Sequence, residues 1–344
     1  MADKTNIEWT DATWNPVTGC SIASAGCKSC YAMKLAGTRM INHPSRAGLT
    51  TMTKTGPVWN GTVRFNDQWL DQPLKWAKAR LIFVCAHGDL FHEDVPDQWI
   101  DRVFAVMALA NQHTFQVLTK RAARMRAYTT DPNTPRRIAR AVIDMLIAGQ
   151  IPKRISNGDA WPVKSIGDVD MPDDISLETY PLPNVWAGVS VEDQPNADAR
   201  LPDLAETLAA VRFISGEPLI GQVDLVAYLH FVDWVIVGGE SGDAARPMHP
   251  AWARSLRNQC ASFGVPFHFK QWGEWAPPPE WYLGTSEARG TGIPHIAWPD
   301  GVIAWGRAEE HGGAGRMLQL VGKKAAGRRL DGVEHNGMPG DLHG

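Results

Sequence analysis

Leu81-Ile82-Phe83-Val84-Cys85, followed after Ala86 by His87-Gly88-Asp89, is the stretch on which the fold turns. A continuous apolar run that ends abruptly in polar residues is the signature of a strand buried on both faces, as in a parallel sheet. The pattern recurs at 115–119, before Lys120-Arg121, and at 185–190, before Glu192-Asp193. It returns at 211–215 before Gly216-Glu217, at 234–237 before Gly238-Gly239-Glu240, and at 266–270, which runs into Gln271. Val63-Arg64-Phe65 is a shorter run of the same kind. Between the runs lie helical candidates at 68–80, 97–112, 196–210 and 250–263. Asp97 is the expected N-cap of the second, with Trp99, Val103, Val106, Met107 and Ala110 at helical spacing. Strands alternating with helices predict an α/β fold with a parallel sheet, either open and doubly wound or a complete or partial barrel. Polar residues after every strand favour a barrel mouth, where loops at the strand C-termini build a site. For any single residue, a strand end meeting water explains the polarity equally well.

The 344 residues are ample for a sizeable core, with 44% hydrophobic and 21% charged residues as in a globular enzyme. A net charge of −3 excludes a chain that binds nucleic acid through overall charge, though not a local basic patch. No run of about 18 apolar residues is present, so no membrane span is expected. Met1 to Asn6 lack the basic start and apolar core of a signal peptide. Five unevenly placed cysteines suit thiols in a reducing cytoplasm better than a disulfide framework. A cytoplasmic protein is therefore expected.

The third connection, 131–183, is too long for one crossover. It holds a helical stretch at 134–149, then Asn157-Gly158-Asp159, Trp161-Pro162 and Met171-Pro172-Asp173-Asp174, and reads as a surface insertion. After Trp275 the composition shifts to proline and glycine. This predicts a main domain over 1–275 and a glycine-rich extension over 276–344. In the extension, 302–305 and 317–321 are expected to pair as a hairpin. The segment Gly322 to Leu330 carries Lys323, Lys324, Arg328 and Arg329, which suits either a polyanion contact or a solvated tail.

Three cysteines, Cys20, Cys27 and Cys30, stand at the spacing C-x6-C-x2-C just before a helical stretch from Tyr31 to Met40. Gly19 and Gly26 allow positive φ, so a loop can wrap its own thiolates around a metal or a cluster. A closed structural zinc site usually takes four ligands, whereas three thiolates on an iron–sulfur cluster leave one iron open for chemistry. Asp89, His92 and Glu93 are strand-end residues able to move a proton, and Lys120, Arg121 and Lys270 are candidate anion ligands. Cys85 reads as a small core residue, and Cys260 as incidental on the polar side of its helix.

Three groups of residues carry a family resemblance. They are Ile7-Glu8-Trp9-Thr10-Asp11-Ala12-Thr13-Trp14-Asn15-Pro16 with Gly26-Cys27-Lys28-Ser29-Cys30-Tyr31-Ala32, then Asp89 to Pro96 with Leu118-Thr119-Lys120-Arg121. Gly216-Glu217-Pro218-Leu219, Gly238-Gly239-Glu240-Ser241-Gly242, Phe269-Lys270-Gln271-Trp272-Gly273 and the Gly322 to Gly332 segment complete the set. Over nearly its whole length the chain resembles the phage-type Gp37/Gp68 family, associated through its three cysteines with the radical S-adenosylmethionine (SAM) group. That group is generally marked by C-x3-C-x2-C on a loop after the first strand of a partial (β/α) barrel; here the first gap is six residues.

The resemblance implies a partial parallel barrel with an insertion and a C-terminal extension. It implies that Cys20, Cys27 and Cys30 bind a [4Fe–4S] cluster whose open iron chelates SAM, and that reductive cleavage gives a 5′-deoxyadenosyl radical. Tyr31, Glu217, Gly238, Gly239 and Glu240 become SAM-binding candidates, and Asp89, His92, Lys120 and Lys270 catalytic ones. The implied partners are an electron donor such as flavodoxin and, by analogy with phage proteins, a nucleic-acid substrate for base modification or repair, or a phage or host protein. The competing reading is a non-catalytic, zinc-binding nucleic-acid-binding protein, with His43 or Cys85 as fourth ligand and the basic tail and tryptophans as binding face.

Overall fold

The computed structural model describes residues 5–152, 155, 161–165, 175–277, 295–297, 303–304 and 315–340. Seven strands make the main sheet: β1 (Ala12–Trp14), β2 (Leu81–Val84), β3 (Thr114–Thr119), β4 (Val185–Ser190), β5 (Val211–Gly216), β6 (Trp234–Gly238) and β7 (Phe267–Gln271). Their order across the sheet is their order in the chain. β1 to β4 pair in parallel, as do β5 to β7. A doubly wound sheet reverses its strand order at a switch point. A sheet wound in one direction throughout is the barrel arrangement, and here it stays open between β1 and β7. The fold is therefore α/β with a partial parallel barrel. The apolar runs are its strands because parallel strands bury both faces, and all five residues of β6 are buried. The exception is Val63-Arg64-Phe65, of which Arg64–Phe65 instead pairs antiparallel with Val17–Thr18 in a separate ribbon.

The helices are α1 (Tyr31–Gly37), α2 (Asp97–Leu109), α3 (Ala122–Thr130), α4 (Thr134–Ile147), α5 (Gln194–Glu206) and α6 (Pro250–Phe263). α6 has clear local signals: the His249 side chain accepts from Ala251 N–H, Pro250 opens the first turn, and Gly264 closes the helix at φ +68°. α2 is capped by Pro96, one residue before the expected Asp97. The helix expected over 68–80 is only a 3₁₀ turn, Asp67–Trp69, and a short helix, Gln72–Lys75. Pro73 has no N–H with which to continue a helix from Trp69, so it sits in the first turn of a new short helix, and Trp76 is already extended. α3 carries no clear apolar stripe in its sequence, and its expectation was missed for that reason.

The chain divides into two compact units, Met1–Ile22 with Ala32–Val189 and Pro202–Arg212, and Ala23–Tyr31 with Ser190–Leu201 and Phe213–Gly344. In the first, α4 buries Ile138, Ala139, Val142 and Met145 and packs on α2, and the strands Val163–Ser165 and Ile175–Leu177 pair antiparallel. The loop residues Asn157 to Asp159 and Met171 to Asp174 lie outside the described residues. In the second unit, Arg316–Leu320 pairs with Trp275–Ala276 on one side and His295–Ala297 on the other. Ile303–Ala304 pairs with His295–Ala297 rather than with the 317–321 segment, so the expected hairpin is not formed directly.

The exposed edge of β7 is covered by the end of the chain. Phe269 N–H donates to His335 O at 2.9 Å, Gly337 N–H to Phe267 O at 3.1 Å, and Trp234 Nε1–H to Gly337 O at 2.7 Å. A Cβ at residue 337 would stand 2.7 Å from Phe267 N, so only glycine allows this approach.

His268 lies in this buried layer at 3% exposure, edge-on to Trp234, and neither ring nitrogen has a hydrogen-bond partner. Burial, reinforced by Arg328 and Lys270, lowers its pKa to about 4. The unfolded chain takes up this proton near pH 6.5 and the folded chain only near 4, so stability is full above the first value and is lost as pH falls toward the second. We expect His268→Phe to lose roughly 2–3 kcal/mol less stability than the parent between neutral pH and about 4.5. Urea unfolding at both pH values checks this, and parallel losses in the two proteins would refute it.

Candidate functional site

The cysteine loop leaves the sheet after β1. Gly19 has φ +94°, and a Cβ there would meet Thr62 O at 2.1 Å, so its backbone does need glycine. Gly26 is needed for another reason: a Cβ would stand 2.6 Å from the Glu192 side chain. The loop's residues through Ile22 belong to the first unit, and Ala23–Tyr31 to the second.

In the first unit Arg121, at the N-terminus of α3, is the centre of a buried polar cluster. Its Nη1 donates to Asp89 Oδ2 at 3.2 Å and to Cys20 Sγ at 3.4 Å. Its Nη2 donates to Ser21 Oγ at 2.6 Å and Ser21 O at 3.3 Å, and its Nε to Glu93 Oε1 at 3.2 Å. Burial opposes the charge, but Asp89, Cys20 and Glu93 outweigh it and hold the guanidinium above its ordinary pKa. Asp89 Oδ1 accepts from Thr119 Oγ1 at 2.6 Å and Phe91 N–H at 3.0 Å; its Oδ2 also accepts from the Lys120 amide at 3.2 Å. Asp89 thus ties the turn after β2 to the end of β3.

His92 is held below its ordinary pKa by burial and by Arg121. Its Nδ1 accepts from Asp94 N–H at 3.1 Å, which assigns the proton of the neutral ring to Nε2. Nε2 therefore donates to Ser21 Oγ, 2.9 Å away. A ring that donates cannot draw a proton from that hydroxyl, so Ser21 and His92 do not make a base-activated nucleophile.

In the second unit Ser24 to Cys27 form a tight turn. Cys27 N–H donates to Ser24 O at 3.0 Å and Cys30 N–H to Cys27 O at 3.2 Å. The sulfur of Cys27 accepts from Ala23 N–H at 3.5 Å. Glu192, fully buried, accepts from Ser24 Oγ at 2.6 Å and from Arg200 Nη1 at 2.7 Å. Both Glu240 oxygens are taken by Arg246, whose backbone N–H, Nε and Nη2 donate to them. Glu217 bonds Lys270 through Oε2, and its Oε1 is buried with no partner. Gly238 lies beside this pair, where a Cβ would make only ordinary contacts, 3.4 Å from Glu217 Cγ and 3.6 Å from Lys270 Cβ. Gly239 faces Trp272 O, which a Cβ would meet at 1.9 Å. Tyr31 opens α1 with its side chain half exposed.

The predicted residues thus fall into separate groups. Cys20, Asp89, His92 and the Lys120 amide share the Arg121 cluster, and Glu217, Gly238 and Lys270 lie together at the ends of β5 to β7. Glu192 went unrecognised; its only signal was its place after a strand.

None of the five cysteines is in a disulfide. Cys85 and Cys260 are buried, and burial pushes each thiol up to about 12, so both are inert core residues; Cys260 lies on the buried face of α6, not its polar side. His43 is engaged by Ser45 at 2.8 Å and stacks on Trp69. Among the described residues, no group of three or more His, Cys, Asp or Glu side chains is arranged to hold a metal ion, and no helix is long and apolar enough to cross a membrane.

A family profile described as "Protein of unknown function (DUF5131)" matches residues 4–339. No curated protein matches the sequence. Among solved structures, a point mutant of spore photoproduct lyase is similar at 10% identity with a TM-score of 0.33. The match covers 88% of this chain and 66% of that one, so the chain spans just under two thirds of that protein's length.

Removing one partner of a buried ion pair leaves a desolvated charge and costs about 3–5 kcal/mol. Arg121→Met should therefore destabilise the protein by about that much, and Arg121→Met with Asp89→Asn by clearly less. Denaturant unfolding of the three proteins measures the difference. Equal losses in the single and double variants would show that Asp89 does not depend on Arg121 for its burial.

Proposed function

The chain belongs to the DUF5131 family of proteins of unknown function, and from its cysteine loop we propose that it is an iron–sulfur enzyme of the radical SAM type. The observation that carries this reading is how its thiols are treated. The sulfurs of Cys20 and Cys27 each accept from an N–H donor, the Arg121 guanidinium and the Ala23 amide, whereas Cys85 and Cys260 are buried as inert thiols. N–H donors on sulfur stabilise thiolate character and tune a cluster's potential. Three thiols within eleven residues, none in a disulfide, on the loop after the first strand of a sequentially wound parallel sheet, match a cluster with one open iron in the chemistry of their donors.

Bound there, a [4Fe–4S] cluster supplies single-electron reductive chemistry toward SAM. The chain's own residues have three tasks. Cys20, Cys27 and Cys30 supply the thiolates. Arg121 keeps a donor on the Cys20 sulfur and is itself fixed by Asp89. Glu217 would receive the SAM ammonium through Oε1, the oxygen that Lys270 does not take. Glu240, with both oxygens on Arg246, is not assigned to SAM.

Nucleic acid is the substrate class toward which the basic segment points. Lys323 and Lys324 are exposed, whereas Arg328 and Arg329 are engaged by Glu334. Arg328 also bonds Asn336.

After anaerobic reconstitution with iron and sulfide, Cys20→Ala, Cys27→Ala and Cys30→Ala should each retain less than about a tenth of the parent's cluster absorbance, and Cys85→Ala and Cys260→Ala nearly all of it. The reconstituted parent, reduced with dithionite, should convert SAM to 5′-deoxyadenosine. A colourless parent with one bound zinc would overturn the reading. For the substrate, Lys323→Glu with Lys324→Glu should weaken oligonucleotide binding about tenfold at low salt and flatten its salt dependence. Unchanged affinity and slope would remove nucleic acid from the assignment.

A further inference from the structure

Three consecutive residues of the cysteine loop, Ser24, Ala25 and Gly26, are each fixed by a different contact, and every contact leads back to a buried carboxylate of the second unit. Ser24 donates its hydroxyl proton to Glu192 Oε1 at 2.6 Å. The Ala25 carbonyl accepts from Arg246 Nη2 at 3.0 Å, and that guanidinium is gripped by both oxygens of Glu240. Gly26 lies against Glu192 so closely that a Cβ would come within 2.6 Å of Cγ and Oε1. Glu192 is 0% exposed and Glu240 4%.

A buried carboxylate is a poor way to gain stability, because desolvation opposes it and an apolar side chain of similar volume often serves better. Its advantage is direction. Glu192 has one oxygen on Arg200 Nη1, which also donates to Ser190 O at 2.7 Å, and the other on Ser24. The carboxylate is thereby fixed from the end of β4, and it fixes the turn in the same way. The residue immediately after this turn is Cys27, and its thiol lies 3.9 Å from the same Ser24 hydroxyl.

We propose that Glu192 and Glu240 are positioning residues for the cysteine loop: Glu192 acts through Ser24 and Gly26, Glu240 through Arg246 and Ala25, and together they set the turn that presents Cys27 and Cys30. The purpose assigned to this turn rests on the iron–sulfur reading above; its geometry does not. Neither carboxylate touches cofactor or substrate in this role.

The test uses the full chain and begins without iron. Alkylation of each cysteine by iodoacetamide, followed by mass spectrometry, reports how the turn holds Cys27, with Cys20 as the internal reference. Glu192→Ala and Ser24→Ala should raise the Cys27 rate about tenfold, the scale of one lost hydrogen bond, and leave Cys20 nearly unchanged. Glu192→Gln keeps the shape and an acceptor for Ser24 and should restore most of the protection. Ser24→Ala, which removes only a hydroxyl, keeps the test valid if Glu192→Ala fails to fold. After reconstitution, Glu240→Gln and Ser24→Ala should also shift the cluster's reduction potential and electron-spin-resonance signal. Unchanged Cys27 alkylation in Ser24→Ala and Glu192→Ala, with only a lowered melting temperature, would overturn the proposal and leave the carboxylates a purely structural role. A parent that takes up no iron yet shows the predicted alkylation pattern would overturn the iron–sulfur reading and leave the positioning role standing.

Discussion

A guanidinium taken out of water must direct each N–H at an acceptor, and Arg121 does so with acceptors from three separate parts of the first unit. Asp89 comes from the turn after β2, Glu93 from the segment that follows it, and Cys20 and Ser21 from the loop after β1. Asp89 in turn takes Thr119 and the Lys120 amide from the end of β3. One buried cation therefore fixes the ends of three neighbouring strands and the entry to the cysteine loop. This is the work expected where a parallel sheet ends: its strands are apolar on both faces, and polar groups gather where the backbone leaves the sheet.

The second unit meets the same requirement with the charges reversed. It holds the buried carboxylates Glu192 and Glu240 and the partly buried Glu217, and each is paired with a cation, Arg200, Arg246 and Lys270 respectively. Pairing offsets part of the desolvation and leaves particular oxygens for other partners. Glu192 gives its remaining oxygen to Ser24. Glu217 keeps one oxygen unpartnered, and Glu240 keeps none. The Gly-Gly-Glu segment illustrates why a short motif is ambiguous by itself. Its second glycine is required by the carbonyl of Trp272, and its glutamate by Arg246, both of which are packing demands from within the chain.

Where expectation and structure differ, the cause is specific. The 68–80 stretch was expected as one helix, but Pro73 lacks the N–H that would continue a helix from Trp69, so the stretch is a 3₁₀ turn followed by a short helix. Gly26 stands where a turn glycine was expected, yet its φ is not positive; the side chain of Glu192, far along the sequence, is what excludes a Cβ. Ile303–Ala304 and Arg316–Leu320 are both strands, but a third strand, His295–Ala297, lies between them. Apolar runs identify strands, while pairing depends on which edge is nearest in space.

The sequence by itself determined strands β2 to β7, most of the helices and the spacing of the three cysteines, because each is written in residues close together. Continuous burial, helical period and loop length are local properties, and they survive without knowledge of the fold. Only the tertiary structure decided what those elements do to one another. Arg121 meets Cys20 across 101 residues, and Glu192 meets Ser24 across 168. No local pattern encodes such pairs, since the partner of a buried charge is chosen by the winding of the sheet that brings the strand ends together. The order β1 to β7 was likewise undecided between a doubly wound sheet and a barrel, because strands of either kind have the same apolar pattern and differ only in which neighbour they bond.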